Sequence, residues 1–350
     1  AIAVVLVRFG GEKKPETIKI GALLPLTGKF ATLGEDIRNA LEMARDDIKE
    51  MRGLDFKFVY EDSAADPKIA VPAANKLIAV DKVEFIIAGP GSSANMAVSL
   101  IMEQNKIIFA AISATPRLNG AGEYIFKLHP DIDGEVRRIA KFIYDRGLKT
   151  AAIIYDSASD SQTTGKDAFL RDFAALGGEV VFVEGYDSKT VTDFRTTFAK
   201  IKSAAPDAIY ILAVEKVAGT AVKQAREMEL AQPIFGWSPF DSGEFLNGAG
   251  SAAEGVIITA QPFSCSGTEL MRDYCEKYKA RFGSSKPSQY GAHAYDMAML
   301  VASAVDEFGF NKEKIRTGLL KTRGYQGVSG DTTFDEGGNI RDKDFEFRIF

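Results

Sequence analysis

At 350 residues the chain is long enough to bury two separate cores, and a composition of 46% hydrophobic and 26% charged residues argues against disorder. The formal charge of −5, with no run of Lys or Arg, excludes the phosphate-neutralising surface on which nucleic-acid binding depends. The two cysteines, Cys265 and Cys275, have neither C-x-x-C spacing nor histidine neighbours, so neither a zinc site nor any other metal or cofactor is expected.

Residues 1–16 are expected to form an N-terminal extension. Ala1 to Phe9 is an apolar run ending near Arg8, followed by the polar Gly10 to Glu16. A bilayer needs roughly 20 apolar residues, so this run reads either as the trailing part of a signal or anchor segment or as a plain strand. From Thr17 onward, short β-branched runs alternate with helix-period stretches, the pattern of a parallel sheet built from βα units. Strands are predicted at Ile18 to Leu24, Phe56 to Tyr60, Phe85 to Ala88 and Ile107 to Ala111. Helices are predicted between them at Glu35 to Met51, Lys68 to Val80 and Ala94 to Gln104. The pattern restarts after Gly134 with strands at Ala151 to Tyr155, Val180 to Glu184, Ala208 to Leu212 and Ile234 to Trp237. Helices at Glu135 to Arg146, Gly165 to Leu176, Asp193 to Ala204 and Lys216 to Glu229 accompany them. A strand at Thr259 to Phe263, helices at Glu269 to Arg281, Gln289 to Phe308 and Lys312 to Lys321, and a strand at Phe345 to Phe350 complete the chain. Two doubly wound lobes joined by short crossings account for this order, and such sheets bind ligands beyond the carboxyl ends of their strands.

The most informative segment is Gly89-Pro90-Gly91-Ser92-Ser93-Ala94, where a strand ends and a helix begins. Free backbone amides and the helix dipole favour an anion there, and two hydroxyls add donors. The segment also fits G-x-G-x-x-A, the dinucleotide fingerprint, which needs an acid at the end of the next strand to hold a ribose. That strand ends Ser113-Ala114-Thr115 without one, so two neighbouring strand ends are left presenting donors to a carboxylate. Helix capping by Ser92 and Ser93 is the competing structural role. Gly28 and Gly34 either let the Leu24 to Gly34 loop bend close to a ligand, with Phe30 and Leu33 lining an apolar pocket, or are ordinary turn glycines under a hydrophobic staple. No G-x-S-x-G, H-E-x-x-H or Walker sequence is present, and His129 and His293 are the only histidines, so the chain is not expected to be an enzyme. Cys265 and Cys275 either form a disulfide, closing a loop of ~10 residues, or remain thiols near a helix.

Several segments resemble the periplasmic binding proteins of the leucine/isoleucine/valine type, which deliver ligands to ABC importers. They are Ile18 to Gly21 with Pro25 to Gly28, Glu61 to Pro67, Gly91 to Ser93, Ser113 to Pro116, Asp207 to Tyr210, Ala253 to Val256, Tyr290 to Asp296 and Thr333 to Gly338. The resemblance implies a type I periplasmic-binding-protein fold, α/β, with two Rossmann-like lobes joined by a three-stranded hinge. Residues 17–128 and 263–335 would form lobe 1, and residues 129–262 and 340–350 lobe 2. It implies that the Ser92 hydroxyl and the backbone and hydroxyl groups of Ser113 and Thr115 hold a ligand carboxylate, within the segments that also carry Gly91, Ser93 and Ala114, while Leu33 and Tyr290 touch the ligand's side chain. The second lobe departs from the family pattern: Thr164 stands where amino-acid binders carry a Tyr, Val214 where they carry an aromatic, and Ser238 where they carry the acid that pairs the ammonium. Glu215 or Asp241 would be the substitute acid. The ligand is therefore expected to be an amino acid or another small organic acid. The expected setting is periplasmic or extracellular, with or without a membrane anchor, as a monomer docking on permease subunits. The same fold serving as a receptor ectodomain or a cytosolic amide-responsive regulator is the alternative.

Overall fold

The computed structural model describes residues 17–283, 287–341, 343 and 345–350. The apolar run at Ala1 to Phe9 lies outside the described residues.

The first sheet is built from β1 (Ile18–Leu24), α1 (Ala31–Arg52), β2 (Phe56–Asp62), α2 (Pro67–Ala79), β3 (Phe85–Ala88), α3 (Ser92–Gln104), β4 (Ile108–Ala111) and β5 (Ile125–Lys127). Its five strands run in the order β2-β1-β3-β4-β5, all parallel, with Ile18 paired to Phe56 and Gly21 to Ile86. Strands covered on both faces must be apolar, which is why β3 and β4 read as continuous hydrophobic runs and β1 is apolar but for the exposed Lys19 near its start. The α2 start follows from its Asp66-Pro67 pair: the Asp66 carboxylate accepts from the Lys68 amide, and Pro67 occupies a position needing no donor.

A second unit follows with α4 (Ile132–Asp145), β6 (Thr150–Asp156), α5 (Asp160–Ala175), β7 (Glu179–Tyr186), α6 (Arg195–Ala204), β8 (Ala208–Leu212), α7 (Glu215–Glu227), β9 (Ile234–Gly236), α8 (Gly243–Ala249) and β10 (Ile257–Ala260). The chain then continues through α9 (Glu269–Phe282), α10 (Gln289–Phe308), α11 (Lys312–Leu320), the small antiparallel sheet β11 (Tyr325–Gly327), β12 (Gly330–Phe334) and β13 (Ile340–Arg341), and finally β14 (Glu346–Ile349). The second sheet has the order β14-β10-β9-β8-β6-β7, parallel except where β14 returns antiparallel on β10.

Each sheet has its own core. One gathers Ile20, Ile37, Phe58, Ile87 and Phe126 with Met297 and Val301 of α10, and the other gathers Ile153, Phe169, Tyr210 and Phe235. The chain passes between them after β5, after β10 and between β13 and β14. These three crossings make the hinge, and both sheets direct the carboxyl ends of their parallel strands toward the space between them.

The predicted strands and helices are present, with some boundaries shifted. The helices α1, α3, α4 and α5 start two to five residues earlier than predicted, and the strand predicted at Thr259 to Phe263 is Ile257–Ala260. Four short strands, β5, β11, β12 and β13, and the seven-residue α8 were not anticipated. Cys265 and Cys275 form a disulfide with Cα atoms 5.6 Å apart, fastening the second crossing to α9. Among the described residues no helix is long and apolar enough to cross a membrane, and no cluster of His, Cys, Asp and Glu could hold a metal ion.

Candidate functional site

A cavity lies between the two sheets, with about 580 Å³ of atom-free space including its mouth. Its floor is the Gly91-Ser92-Ser93 turn at the start of α3. Gly91 adopts φ 141°, and a Cβ there would approach the Ala65 Cβ to 2.9 Å, so only glycine fits this turn. No side chain caps the first amides of α3. They face the cavity with their dipole unopposed, a disposition that favours an anion. Opposite them stands the start of α5, which its own Ser159 side chain does not cap and whose first amide, that of Asp160, is taken by Ser93; Ser159, Ser161 and Gln162 represent it in the lining. Two helix N-termini, one from each unit, thus bracket one cavity.

The hydroxyls divide their roles. Ser113 donates to the Ser92 oxygen at 3.1 Å, which occupies a Ser92 lone pair and leaves its own proton free for a cavity ligand. Ser93 is spent across the cleft, donating to the Ala158 carbonyl at 3.3 Å and accepting from the Asp160 amide at 3.1 Å. Thr115 is fully buried and donates to the Asp160 carboxylate, which also receives Arg117. Further contacts hold the two sides together: Lys29 reaches Asp156 at 2.7 Å and Ser188 at 2.9 Å, and Lys189 pairs with Asp66. The cleft is closed. Burial alone would push Asp156 up, but Lys29, Ser188 and the Ala158 amide outweigh it and hold the carboxyl below its ordinary value.

The remaining wall is aromatic and apolar: Phe30, Tyr290, Trp237, Pro90, Pro239 and Val214. His129, on the first crossing, stacks on Tyr290 with ring centroids 5.7 Å apart. Its Nε2 accepts from the Gln261 amide at 2.8 Å, which leaves Nδ1–H to donate to the Pro130 carbonyl at 2.9 Å. His293 in turn donates through Nε2 to the Gln261 carbonyl oxygen at 2.8 Å. Burial pushes His129 down to about 4 and lowers His293 as well, so both rings are neutral.

Of the predicted site residues, Gly91, Ser92, Ser93, Ala114, Val214 and Tyr290 line this cavity. Ser113 and Thr115 stand behind it. Ser113 orients Ser92, and Thr115 gives its hydroxyl proton to Asp160. Thr164 lies further along α5, away from the lining. Ser238 is buried, and both its amide and hydroxyl donate to Glu135, at 2.6 and 3.2 Å. Thr259 also donates to Glu135, and burial still pushes that carboxyl up to about 7. Leu33 and Glu215 line a second, neighbouring cavity, where Asp241 is paired with Arg348. The sequence reading missed His129, Lys29, Trp237 and the Ser159 to Gln162 turn. The last carried a signal, since Ser159-Asp160-Ser161 is as good a helix start as Ser92-Ser93. Among the described lining residues of the first cavity there is no Asp or Glu, and the one charged side chain, Lys29, is paired with Asp156.

The model of the family described as periplasmic binding protein matches residues 17–345. The chain belongs to that family. It is 27% identical to the leucine-, isoleucine-, valine-, threonine- and alanine-binding protein of Pseudomonas aeruginosa, covering 96% of this chain and 90% of that one. The branched-chain amino acid transporter substrate-binding protein LivJ of Streptococcus pneumoniae, solved with isoleucine, superposes with a TM-score of 0.88 at 25% identity over 95% of this chain and 96% of that one. A solute-binding protein of an ABC transporter from Rhodopseudomonas palustris, solved with 3,4-dihydroxybenzoic acid, superposes with a TM-score of 0.86 at 23% identity over 96% and 93%. The α/β fold and the leucine/isoleucine/valine-type resemblance read from the sequence are both borne out. Its homologues are solute-binding proteins, and the family implies an extracytoplasmic location.

Proposed function

We propose that this chain is the solute-binding component of an ABC importer, and that its closed cleft holds a small carboxylate with an apolar or aromatic body and no α-ammonium group. Residues 17–128 and 263–335 would act as one lobe and residues 129–262 and 340–350 as the other, closing on the ligand and presenting the closed form to permease subunits.

The observation that carries this reading is the charge inventory of the cavity. The uncapped start of α3 and the Ser92 hydroxyl favour an anion, and Lys29, paired with Asp156, leaves no net negative charge on the lining. No lining carboxylate would receive an ammonium, and the position where the acid would fall, Ser238, is locked onto Glu135. Burying an ammonium there without a partner would cost several kcal/mol. The wall of Phe30, Trp237, Tyr290 and His129 suits a flat or branched apolar body. The fold leaves the choice open, since relatives of the same shape are described with isoleucine and with 3,4-dihydroxybenzoic acid; the lack of a lining carboxylate favours the acid without an amine.

A matched pair tests the reading. 4-Methylpentanoate is leucine without its amine, and benzoate is the aromatic comparison. Either acid at 100 times its Kd should stabilise the protein by about 2.7 kcal/mol in a thermal-shift assay. Leucine should bind at least tenfold more weakly than 4-methylpentanoate. Tighter binding of leucine would replace this reading with an amino-acid carrier, and a panel in which no carboxylate stabilises would remove it.

A further inference from the structure

The second cavity lies beside the first, between Thr32 and Leu33 of α1, Glu215 of α7, Leu246 of α8 and the Ser288-Gln289 start of α10, with about 730 Å³ of atom-free space including its mouth. Consecutive residues separate the two: Val214 lines the first cavity and Glu215 the second. Glu215 sits at φ 44°, a left-handed conformation that costs a non-glycine residue of order 1–3 kcal/mol and that persists only where the surroundings impose it. Its side chain is 4% exposed, and its Oε1 has no hydrogen-bond partner. A buried carboxyl oxygen without a hydrogen-bond partner is costly, and no protein group in the closed cleft supplies one.

We propose that this cavity is a second binding site, which takes a small primary ammonium cation on the free Glu215 carboxylate oxygen. The charges around it support a cation. Arg348, the only Arg or Lys among the described lining residues, is committed to Asp241 and Glu346, and Lys29, on the turn packed against α7, is committed to Asp156. Asp36 lines the same space, and Glu244 of α8 adds its field to that of Glu215. A divalent metal ion would need at least three converging acidic, His or Cys ligands, and no such group exists among the described residues. Asp36 keeps its Oδ2 on Ser288 and Gly291 with Oδ1 unpartnered, whereas the Glu215 Oε1, flanked by Leu33, Leu246 and Phe263, suits an alkylammonium whose chain the apolar wall would cover.

Burial, with Glu244 nearby, pushes the empty Glu215 carboxyl up to about 8, so at neutral pH it carries a proton. An ammonium ion bound there requires the carboxylate, and the displaced proton leaves to buffer. Affinity should therefore rise close to tenfold per pH unit below about pH 7.5 and level off above about 8, because the proton competes with the amine.

Calorimetry with n-butylammonium chloride on the full chain tests the site. Saturable binding is expected, with about 0.9 proton released per amine at pH 7, obtained by comparing two buffers of different ionisation enthalpy. Glu215→Gln should weaken binding at least tenfold and abolish the release. Should that variant fail to fold, Leu246→Trp at the mouth, where Leu246 is 44% exposed, should block the amine equally. No saturable binding, binding unaltered in these variants, or uptake without proton release would each overturn the proposal. The site stands independently of the carboxylate reading, and titrating benzoate into the same protein keeps the two apart: displacement of the amine by benzoate would show one shared cavity and end the two-site model.

Discussion

Ser92 and Ser113 show how a pair of neutral hydroxyls acquires direction. Because Ser113 donates to Ser92, the Ser92 proton is the one left for the cavity, and the pair behaves as a single oriented donor. Ser92→Ala removes a charge-assisted hydrogen bond to a ligand carboxylate and should raise Kd by the equivalent of about 1.5–3 kcal/mol. Ser113→Ala leaves Ser92 in place but free to rotate, so its cost should be smaller, about 0.5–1.5 kcal/mol, the net value of an ordinary hydrogen bond. Titration calorimetry with benzoate measures both. Equal losses would mean that Ser113 touches the ligand itself, and no loss in either would put the carboxylate elsewhere. Ser238 illustrates the opposite outcome, since a hydroxyl and an amide at a strand end are consumed by the buried Glu135 and present nothing to the cleft.

At the scale of elements, the sequence disclosed what depends on local pattern and concealed what depends on partners. The apolar runs of β3 and β8, the run of β1 broken only at the exposed Lys19, and the long period of α10 were legible with their bounds, because burial on both faces forces composition. β5 and β13 span only three and two residues and exist by pairing with β4 and β12, which no local pattern announces. The first half of the site was legible because Gly91-Ser92-Ser93 is contiguous. The second was not, because whether Ser159-Asp160-Ser161 faces a ligand depends on how the two units close. Which of the two fates awaited Cys265 and Cys275 was likewise a tertiary matter, and the disulfide now joins the second crossing to α9. Closing a loop of about 10 residues should contribute roughly 2–3 kcal/mol in the chain-entropy account. Cys265→Ser with Cys275→Ser should therefore lower the urea midpoint by that equivalent, as should reductant acting on the parent protein. An unchanged midpoint would show that the folded state gains nothing from the link.

For the whole molecule the question is what holds the cleft shut. The cross-cleft contacts differ in worth. Lys189 to Asp66 and Arg117 to Asp160 each use a cation whose side chain is more than half exposed, so each contributes at most about 1 kcal/mol. Lys29 to Asp156 is different, because the Asp156 side chain is wholly buried in the closed form and Lys29 is its cation. Lys29→Met would leave a buried carboxylate without a counter-charge when closed, whereas opening returns Asp156 to water. The closed state should lose up to about 3 kcal/mol relative to the open one. If the ligand binds only the closed form, its apparent Kd rises as the closed fraction falls, up to about 100-fold. Small-angle scattering should report a larger radius of gyration for the free variant than for the parent, contracting to the parent value at saturating ligand. A variant with weakened binding but an unchanged free radius would mean that Lys29 acts on the ligand directly from the cavity wall. Unchanged affinity together with an unchanged radius would mean that the hinge itself, through His129, Gln261 and His293, sets the closed geometry without help from the pair.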